Sequence, residues 1–173
     1  MKKIIVISGK QYSGKDTLCK ILLEKMPTFK RIGIADAIKL KYASQKGLTF
    51  EEIEENKHLY RKDLIELGNW GRNQDKDYWL LDIIKNDKII IPDVRVKVEI
   101  DFFNSKGAYL IRINSDLSER SKRGQIVEQN DPTETQLDNY SDWNYICSNN
   151  SDLENLKQQA DKIIVSFNNF IGI

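Results

Sequence analysis

Apolar positions along the chain fall into two rhythms. Ile4-Ile5-Val6-Ile7 and Ile89-Ile90-Ile91 are unbroken β-branched runs with no polar face, which predicts strands buried on both sides. Ala108–Ile113 reads as a third strand, Tyr145–Cys147 as a short one, and Arg31–Ala35 as a weak one. Between them apolar residues recur at helical spacing. Leu18, Ile21 and Leu22 form one such set, Ile38, Tyr42 and Ala43 a second, and Leu59, Leu64 and Leu67 a third. Further helices are expected over Tyr78–Lys85, around Val98, Phe102 and Phe103 with Gly107 as the stop, over Thr133–Leu137, and from Leu153 to Phe167. Punctuation supports these boundaries: Asp36 fits a cap, Gly47 a stop, and Thr49 with Glu52 a capping box. Gly68 and Gly71 are expected to loosen the end of their helix. Strands alternating with helices imply an α/β fold, a parallel sheet of about five strands with helices on both faces. The expected organisation is a single domain, a core with a helical insert at about 36–85 and a polar segment at about 114–132.

The junction between the first strand and first helix carries chemistry. Gly9-Lys10-Gln11-Tyr12-Ser13-Gly14-Lys15-Asp16 has the G-x-x-x-x-G-K spacing of a phosphate-binding loop, with Asp16 where Ser or Thr is usual. Glycines let such a loop curl and aim its N–H groups inward, and the first turn of the following helix adds unpaired N–H groups and partial positive charge. Lys15 is placed to reach the β- and γ-phosphates of a nucleotide. A chance match is the bland alternative, and strand before and helix after argue against it.

Composition narrows the class. The chain has 173 residues with 27 Lys and Arg against 26 Asp and Glu, so its charge balance points to neither nucleic acid nor a membrane surface. No apolar run approaches spanning length, and the N-terminus is too short for a signal peptide. Cys19 and Cys147 form no C-x-x-C pair and read as reduced thiols, which suits a cytoplasmic protein. A single histidine, His58, disfavours a histidine-rich metal site or a Ser-His-Asp triad.

The remaining polar landmarks suit a small kinase. The only Asn-Lys pair, Asn56-Lys57, continues His58-Leu59 rather than x-Asp, which excludes the guanine motif of a GTPase, and the chain has no room for a motor's coupling segments. ATP would meet Lys15 and the loop residues Gly9, Lys10, Ser13, Gly14, Asp16 and Thr17, while Mg²⁺ would take oxygen from Asp16 or Asp93, directly or through water. Asp93 and Arg95 follow the isoleucine strand, where ligands of open α/β sheets bind. The polar segment holds Arg120, Lys122 and Arg123 and reads as a lid over the transferring phosphoryl group. Arg61, Arg72 and Arg95 suit an anionic acceptor, since a guanidinium fork matches phosphate oxygens. Arg61 equally fits a solvated helix face near Asp63, Asp36 a mere cap, and Tyr78 and Trp79 a core.

The order of these landmarks carries a resemblance. The loop with its Gly-Lys-Asp ending, Ile34–Lys39, Lys57-x-x-x-Arg61 to Gly68, Arg72 with Asp77-Tyr78-Trp79, Pro92-Asp93-Val94-Arg95, Gly107, Thr133-Glu134 and Asn149 occur in one order that resembles the P-loop kinase superfamily. Two branches are similar over nearly the whole chain: the phage and bacterial deoxynucleoside monophosphate kinases, and the animal-type phosphomevalonate kinases. The resemblance implies that Lys15 contacts ATP phosphates and that Asp16 and Asp93 serve the metal. It implies that Asp36, Lys39, Arg61, Arg72, Asp93 and Arg95 line the acceptor site. Arg112, Arg120 and Arg123 would match the lid, with Lys15, Arg95, Arg120 and Arg123 as the catalytic cations, and Asn149 would lie near adenine. Phosphomevalonate kinases tend to carry cations where this chain has Gln11, Tyr12 and Val96, whereas the insert and Leu137-Asp138-Asn139 resemble that family.

The reading from sequence is an ATP- and Mg²⁺-dependent phosphotransferase acting on a small phosphate monoester, a monomer or homodimer with no nucleic-acid or membrane partner. A (deoxy)nucleoside monophosphate is the favoured acceptor and phosphomevalonate the alternative. A reading from another class is a non-catalytic nucleotide-binding regulator, which Asp16 in the place of the usual hydroxyl permits.

Overall fold

β1 (Lys3–Ser8) is the spine of the sheet. It pairs on one side with β3 (Lys88–Ile91), Lys3 opposite Lys88 and Val6 opposite Ile91, and on the other with β4 (Tyr109–Asn114), Ile5 opposite Tyr109. β2 (Lys30–Arg31) flanks β3 and β5 (Tyr145–Ser148) flanks β4, so the order is β2-β3-β1-β4-β5 and every pair is parallel. The expected five-stranded parallel α/β sheet is present. The computed structural model describes residues 2–126 and 129–173, except the side chains of 57, 58 and 61.

The chain divides into two compact units, Met1–Arg31 with Asp87–Ile173, and Ile32–Asn86. In the sheet unit, alternate residues sort to opposite faces. Ile5, Ile7, Ile90, Tyr109, Ile111, Ile113 and Cys147 share a core with Leu18, Cys19, Ile21 and Leu22 of α1 (Lys15–Lys25) and Leu156, Ala160, Ile163 and Phe167 of α9 (Leu153–Phe170). Their neighbours Ile4, Val6, Ile89, Ile91 and Leu110 are buried too, as are Ile100 and Phe103 of α6 (Lys97–Ser105). That double burial explains why β1 and β3 read as unbroken apolar runs. Both cysteines are buried free thiols, and burial pushes Cys147 up to about 11. Among the described residues, no helix is long and apolar enough to cross a membrane.

The helical unit contains α2 (Ile34–Lys46), α3 (Phe50–Glu55), α4 (Lys57–Gln74) and α5 (Tyr78–Ile83). The weak strand expected over Arg31–Ala35 is confined to Lys30–Arg31, because Ile34 already begins α2 with Gly33 as its extended N-cap. Asp36 therefore sits in the first turn of α2 rather than before it, and its Oδ2 accepts 2.9 Å from the Gly33 amide. The expected Thr49–Glu52 capping box is present, with Thr49 Oγ1 accepting from the Glu52 amide at 3.1 Å and Glu52 Oε2 from the Thr49 amide at 2.7 Å. Gly68 and Gly71 do not loosen α4, which runs on to Gln74. Gly71 admits the Trp79 indole so closely that a Cβ there would lie 2.6 Å from the ring, and Trp79 Nε1 donates 3.0 Å to the Gly68 carbonyl. Trp79 is thus a core residue. α5 ends at Ile83, short of the expected Lys85.

Candidate active site

The phosphate loop curls between β1 and α1 with two residues in the left-handed region, Tyr12 at φ 58° and Gly14 at φ 103°. Gly14 is the residue before α1, and a Cβ there would collide with the Asn149 amide. A Cβ on Gly9 would lie 2.5 Å from the Ile113 carbonyl oxygen, so both loop glycines are needed for close backbone approach. Lys15 folds back under the loop, donating 2.7 Å to the Gly9 carbonyl and 2.8 Å to that of Lys10. Burial pulls its ammonium down to about 8, the Arg95 guanidinium adding to the effect while Glu134 and Asp16 partly offset it. Ser13 Oγ is buried without a hydrogen-bond partner.

Four of the expected nucleotide residues, Gly14, Lys15, Asp16 and Thr17, line one cavity. This cavity of about 400 Å³ is lined also by Arg95 and Arg123, among others. Asp16 lies in the first turn of α1 with its carboxylate largely in solvent, 3.5 Å from Arg31 Nη2. Asp93 follows β3 by two residues and is half-buried. Asn149 joins the loop from the end of β5: its Nδ2 donates 2.8 Å to the Ser13 carbonyl and its own amide donates 2.8 Å to the Asn114 carbonyl.

The segment expected as a lid contains α7 (Leu117–Arg123) and the start of α8 (Pro132–Thr135), and residues 127 and 128 lie outside the described ones. In this structure its arginines bind the phosphate loop by its carbonyls. Arg120 is buried, with Nε donating 3.0 Å to the Ser115 carbonyl and Nη1 3.3 Å to that of Gln11. Arg123 donates to the Tyr12 carbonyl and Ser115 Oγ, both at 3.1 Å, and through Nη2 to the Asn149 carbonyl at 2.7 Å. The Tyr12 ring lies directly on Gly124, where a Cβ would strike it. Lys10 pairs with Asp138 at 2.8 Å. Arg112 reaches the same carboxylate at 3.4 Å and Ser8 Oγ at 3.2 Å, stacked on the Trp143 ring. Burial of Arg112 lowers its pKa.

Two carboxylates here go beyond the residues singled out for roles from sequence, Glu134 and Asp138. Glu134 accepts from the Gln11 amide at 2.9 Å and lies 3.7 Å from Arg95 Nη1. Asp131-Pro132, a capping residue and a helix-starting proline, was the available signal that Glu134 begins a structured turn.

The other expected acceptor residues belong to the helical unit. Asp36 caps its own helix as described, 3.7 Å from Lys39 Nζ, and Lys39 also pairs with Glu54. Arg72 Nη1 donates 3.2 Å to Asn69 Oδ1. The Arg61 side chain lies outside the described residues.

These residues fit ATP with Mg²⁺. The glycine cradle excludes any Cβ, a buried ammonium is held by loop carbonyls alone, and the Ser13 hydroxyl is unmet. No cluster of three or more metal-ligating side chains occurs among the described residues. That suits Mg²⁺, which is held by one or two carboxylates, waters and the substrate's own phosphates.

Comparison with known proteins agrees. The phosphomevalonate kinase family matches residues 7–109. A phosphomevalonate kinase of Drosophila melanogaster is 27% identical over 184 residues, covering 95% of this chain and 96% of its own. Among solved structures, shikimate kinase from Aquifex aeolicus has a TM-score of 0.55 at 16% identity, covering 96% of each chain. APS kinase from Mycobacterium tuberculosis, solved with AMPPNP and APS, has a TM-score of 0.54 at 10% identity, covering 95% of this chain and 96% of that one. The structural likeness establishes the P-loop kinase fold. The family match covers the loop, the helical unit and Arg95, and with it the chain belongs to the phosphomevalonate kinase family, small-molecule kinases that work with ATP and Mg²⁺.

Proposed function

We propose that this protein transfers the γ-phosphoryl group of ATP to the phosphate of 5-phosphomevalonate, giving the diphosphate and ADP. The observation that carries the reading is the family match over residues 7–109, reinforced by a relative similar along the full length. It favours phosphomevalonate over the nucleotide acceptor that the absence of cations at Gln11, Tyr12 and Val96 suggested. In its support, the loop carbonyls of Gln11 and Tyr12 are already the acceptors of Arg120 and Arg123, so cations serve these positions from elsewhere.

An acceptor phosphate oxygen attacks the γ-phosphorus while the bond to the β,γ-bridging oxygen breaks, and ADP leaves with that oxygen. The nucleophile is already an anion, so no general base is required. The protein's part is alignment and charge compensation. Lys15 turns from the loop carbonyls to the β- and γ-phosphates, and Arg95 orients the acceptor phosphate. Arg120 and Arg123 hold the loop and add positive charge, and Asn149 borders the base. Asp16 and Asp93 would hold Mg²⁺, directly or through water, and the ion would supply charge neutralisation for the transferring phosphoryl group. In the helical unit, Asp36, Lys39, Arg61 and Arg72 are the proposed ligands for the remainder of the acceptor.

The test is coupled ADP release with ATP and Mg²⁺ against (R)-5-phosphomevalonate and, in parallel, the common ribo- and deoxyribonucleoside monophosphates. Turnover confined to phosphomevalonate and abolished by EDTA is expected. Turnover confined to nucleotides overturns the acceptor assignment, and ADP binding without turnover on any acceptor favours a binding protein.

A further inference from the structure

We infer that Glu134 is a positioning residue of the transfer site: one buried carboxylate that pins the phosphate loop through the Gln11 amide and holds the Arg95 guanidinium on the same cavity as Lys15. The inference rests on the proposed role of Arg95 toward the acceptor.

The Glu134 side chain is only 3% exposed. Burying a carboxylate is costly unless hydrogen bonds and opposite charges meet it. Oε2 takes the Gln11 amide at 2.9 Å and Oε1 faces Arg95 Nη1 at 3.7 Å. One oxygen thus serves the ATP side and the other the acceptor side.

The backbone that carries Glu134 is itself fixed. Asp131 Oδ1 caps α8 by accepting from the Thr133 amide at 2.8 Å, and Pro132 starts the helix with its φ already restricted. Gln136 Oε1 accepts 3.1 Å from the Lys97 amide in the first turn of α6. In the same first turn, Glu99 Oε2 accepts 2.9 Å from the amide of Arg95, just before the helix. The main chains of Glu134 and Arg95 are therefore tied to one helix start. The remaining freedom of Arg95, whose side chain is 42% exposed, lies in its guanidinium, which the Glu134 charge orients. Orientation set before substrate arrives is what charge-stabilising catalysis needs.

Two variants separate the functions. Glu134→Gln keeps an oxygen for the Gln11 amide and removes the charge beside Arg95, whereas Glu134→Ala removes both. For Glu134→Gln we expect kcat/KM for the acceptor to fall roughly tenfold or more, with MgADP affinity by calorimetry within about threefold of wild type and Tm preserved. Glu134→Ala is expected to weaken MgADP binding as well. Wild-type acceptor kinetics in Glu134→Gln overturn the inference. So does equal weakening of MgADP binding in both variants with lowered Tm, which marks a purely structural residue. Should the wild-type protein turn over no acceptor, the functional reading fails and the calorimetry decides alone. Weakened MgADP binding in Glu134→Ala with intact binding in Glu134→Gln supports loop pinning, and equal binding in all three proteins overturns it.

Discussion

The ammonium of Lys15 lies 2.7 Å from the carbonyl oxygen of Gly9, six residues back on the loop it serves. A buried cation held by neutral carbonyls is under-compensated, and its pKa of about 8 against an ordinary 10.5 expresses that. Phosphate oxygens are better partners. Binding of MgADP or MgATP between about pH 8 and 10 is therefore expected to take up a proton, seen as a calorimetric enthalpy that varies with the buffer's ionisation enthalpy. A buffer-independent enthalpy at pH 9 contradicts this.

The same shift has a sign for stability. The unfolded chain binds more protons at Lys15 than the folded one between about 8 and 10.5, so the nucleotide-free protein gains stability from this group as pH rises through that window. Lys15→Met removes the burial cost and should flatten that part of the Tm–pH curve, while turnover is lost. Near-normal kcat in Lys15→Met or Lys15→Ala would remove Lys15 from the transfer step.

Gly14→Ala places a side chain at φ 103° and against the Asn149 amide. The left-handed backbone alone costs about 1–2 kcal/mol, and the collision displaces Asn149 from the Ser13 carbonyl. MgADP affinity should fall roughly tenfold or more, measured by titration at constant pH. Unchanged affinity would mean that the loop relaxes freely.

Arg123→Lys is expected to behave as a loss of function despite the retained charge. The guanidinium joins Tyr12, Ser115 and Asn149, and an ammonium on a single stem cannot span all three. kcat/KM for ATP should drop roughly tenfold, with a smaller effect on acceptor KM. A variant equal to wild type would leave these contacts without a role in the kinetics.

The helical unit offers a stability test of its own. Trp79→Phe removes the donor to the Gly68 carbonyl and should cost about 1–2 kcal/mol. Gly71→Ala forces a methyl to within 2.6 Å of the indole and should cost about 1–3 kcal/mol or more. Denaturant titration ranks the two, and a neutral Gly71→Ala would show that the indole has room to shift.

Strands and loop were legible because their signals are local. Six isoleucines in β1 and β3 and the spacing from Gly9 to Lys15 need no tertiary knowledge. The role of Gly71 was not legible: a glycine in a helical pattern reads as weakness until Trp79 is seen against it. Asp36 was placed one turn early because Gly33, with no side chain, turned out to be the N-cap. The contacts of Glu134 and Asp138, both among the landmarks of the resemblance, stayed hidden for a related reason. Their partners, the Gln11 amide and Lys10, lie more than a hundred positions away, and one of them is a backbone group that sequence does not mark. The preference for a nucleotide acceptor is weakest at the same boundary, since counting cations at Gln11 and Tyr12 ignores Arg120 and Arg123, which approach from more than a hundred positions away.

The pairing of Lys3 with Lys88 carries a consequence for biosynthesis. β1 is the central strand and precedes the other four in the chain, so both its neighbours emerge from the ribosome long after it. Until then β1 is an apolar ribbon with two open edges. Contacts so distant in sequence slow folding and leave such ribbons prone to aggregation. The segment Ile32–Asn86 is contiguous and helical, so it can condense while the sheet waits. Its early collapse would shorten the effective loop that β1 and β3 must close. The nascent β1 segment is therefore where a holdase chaperone would have most to shield.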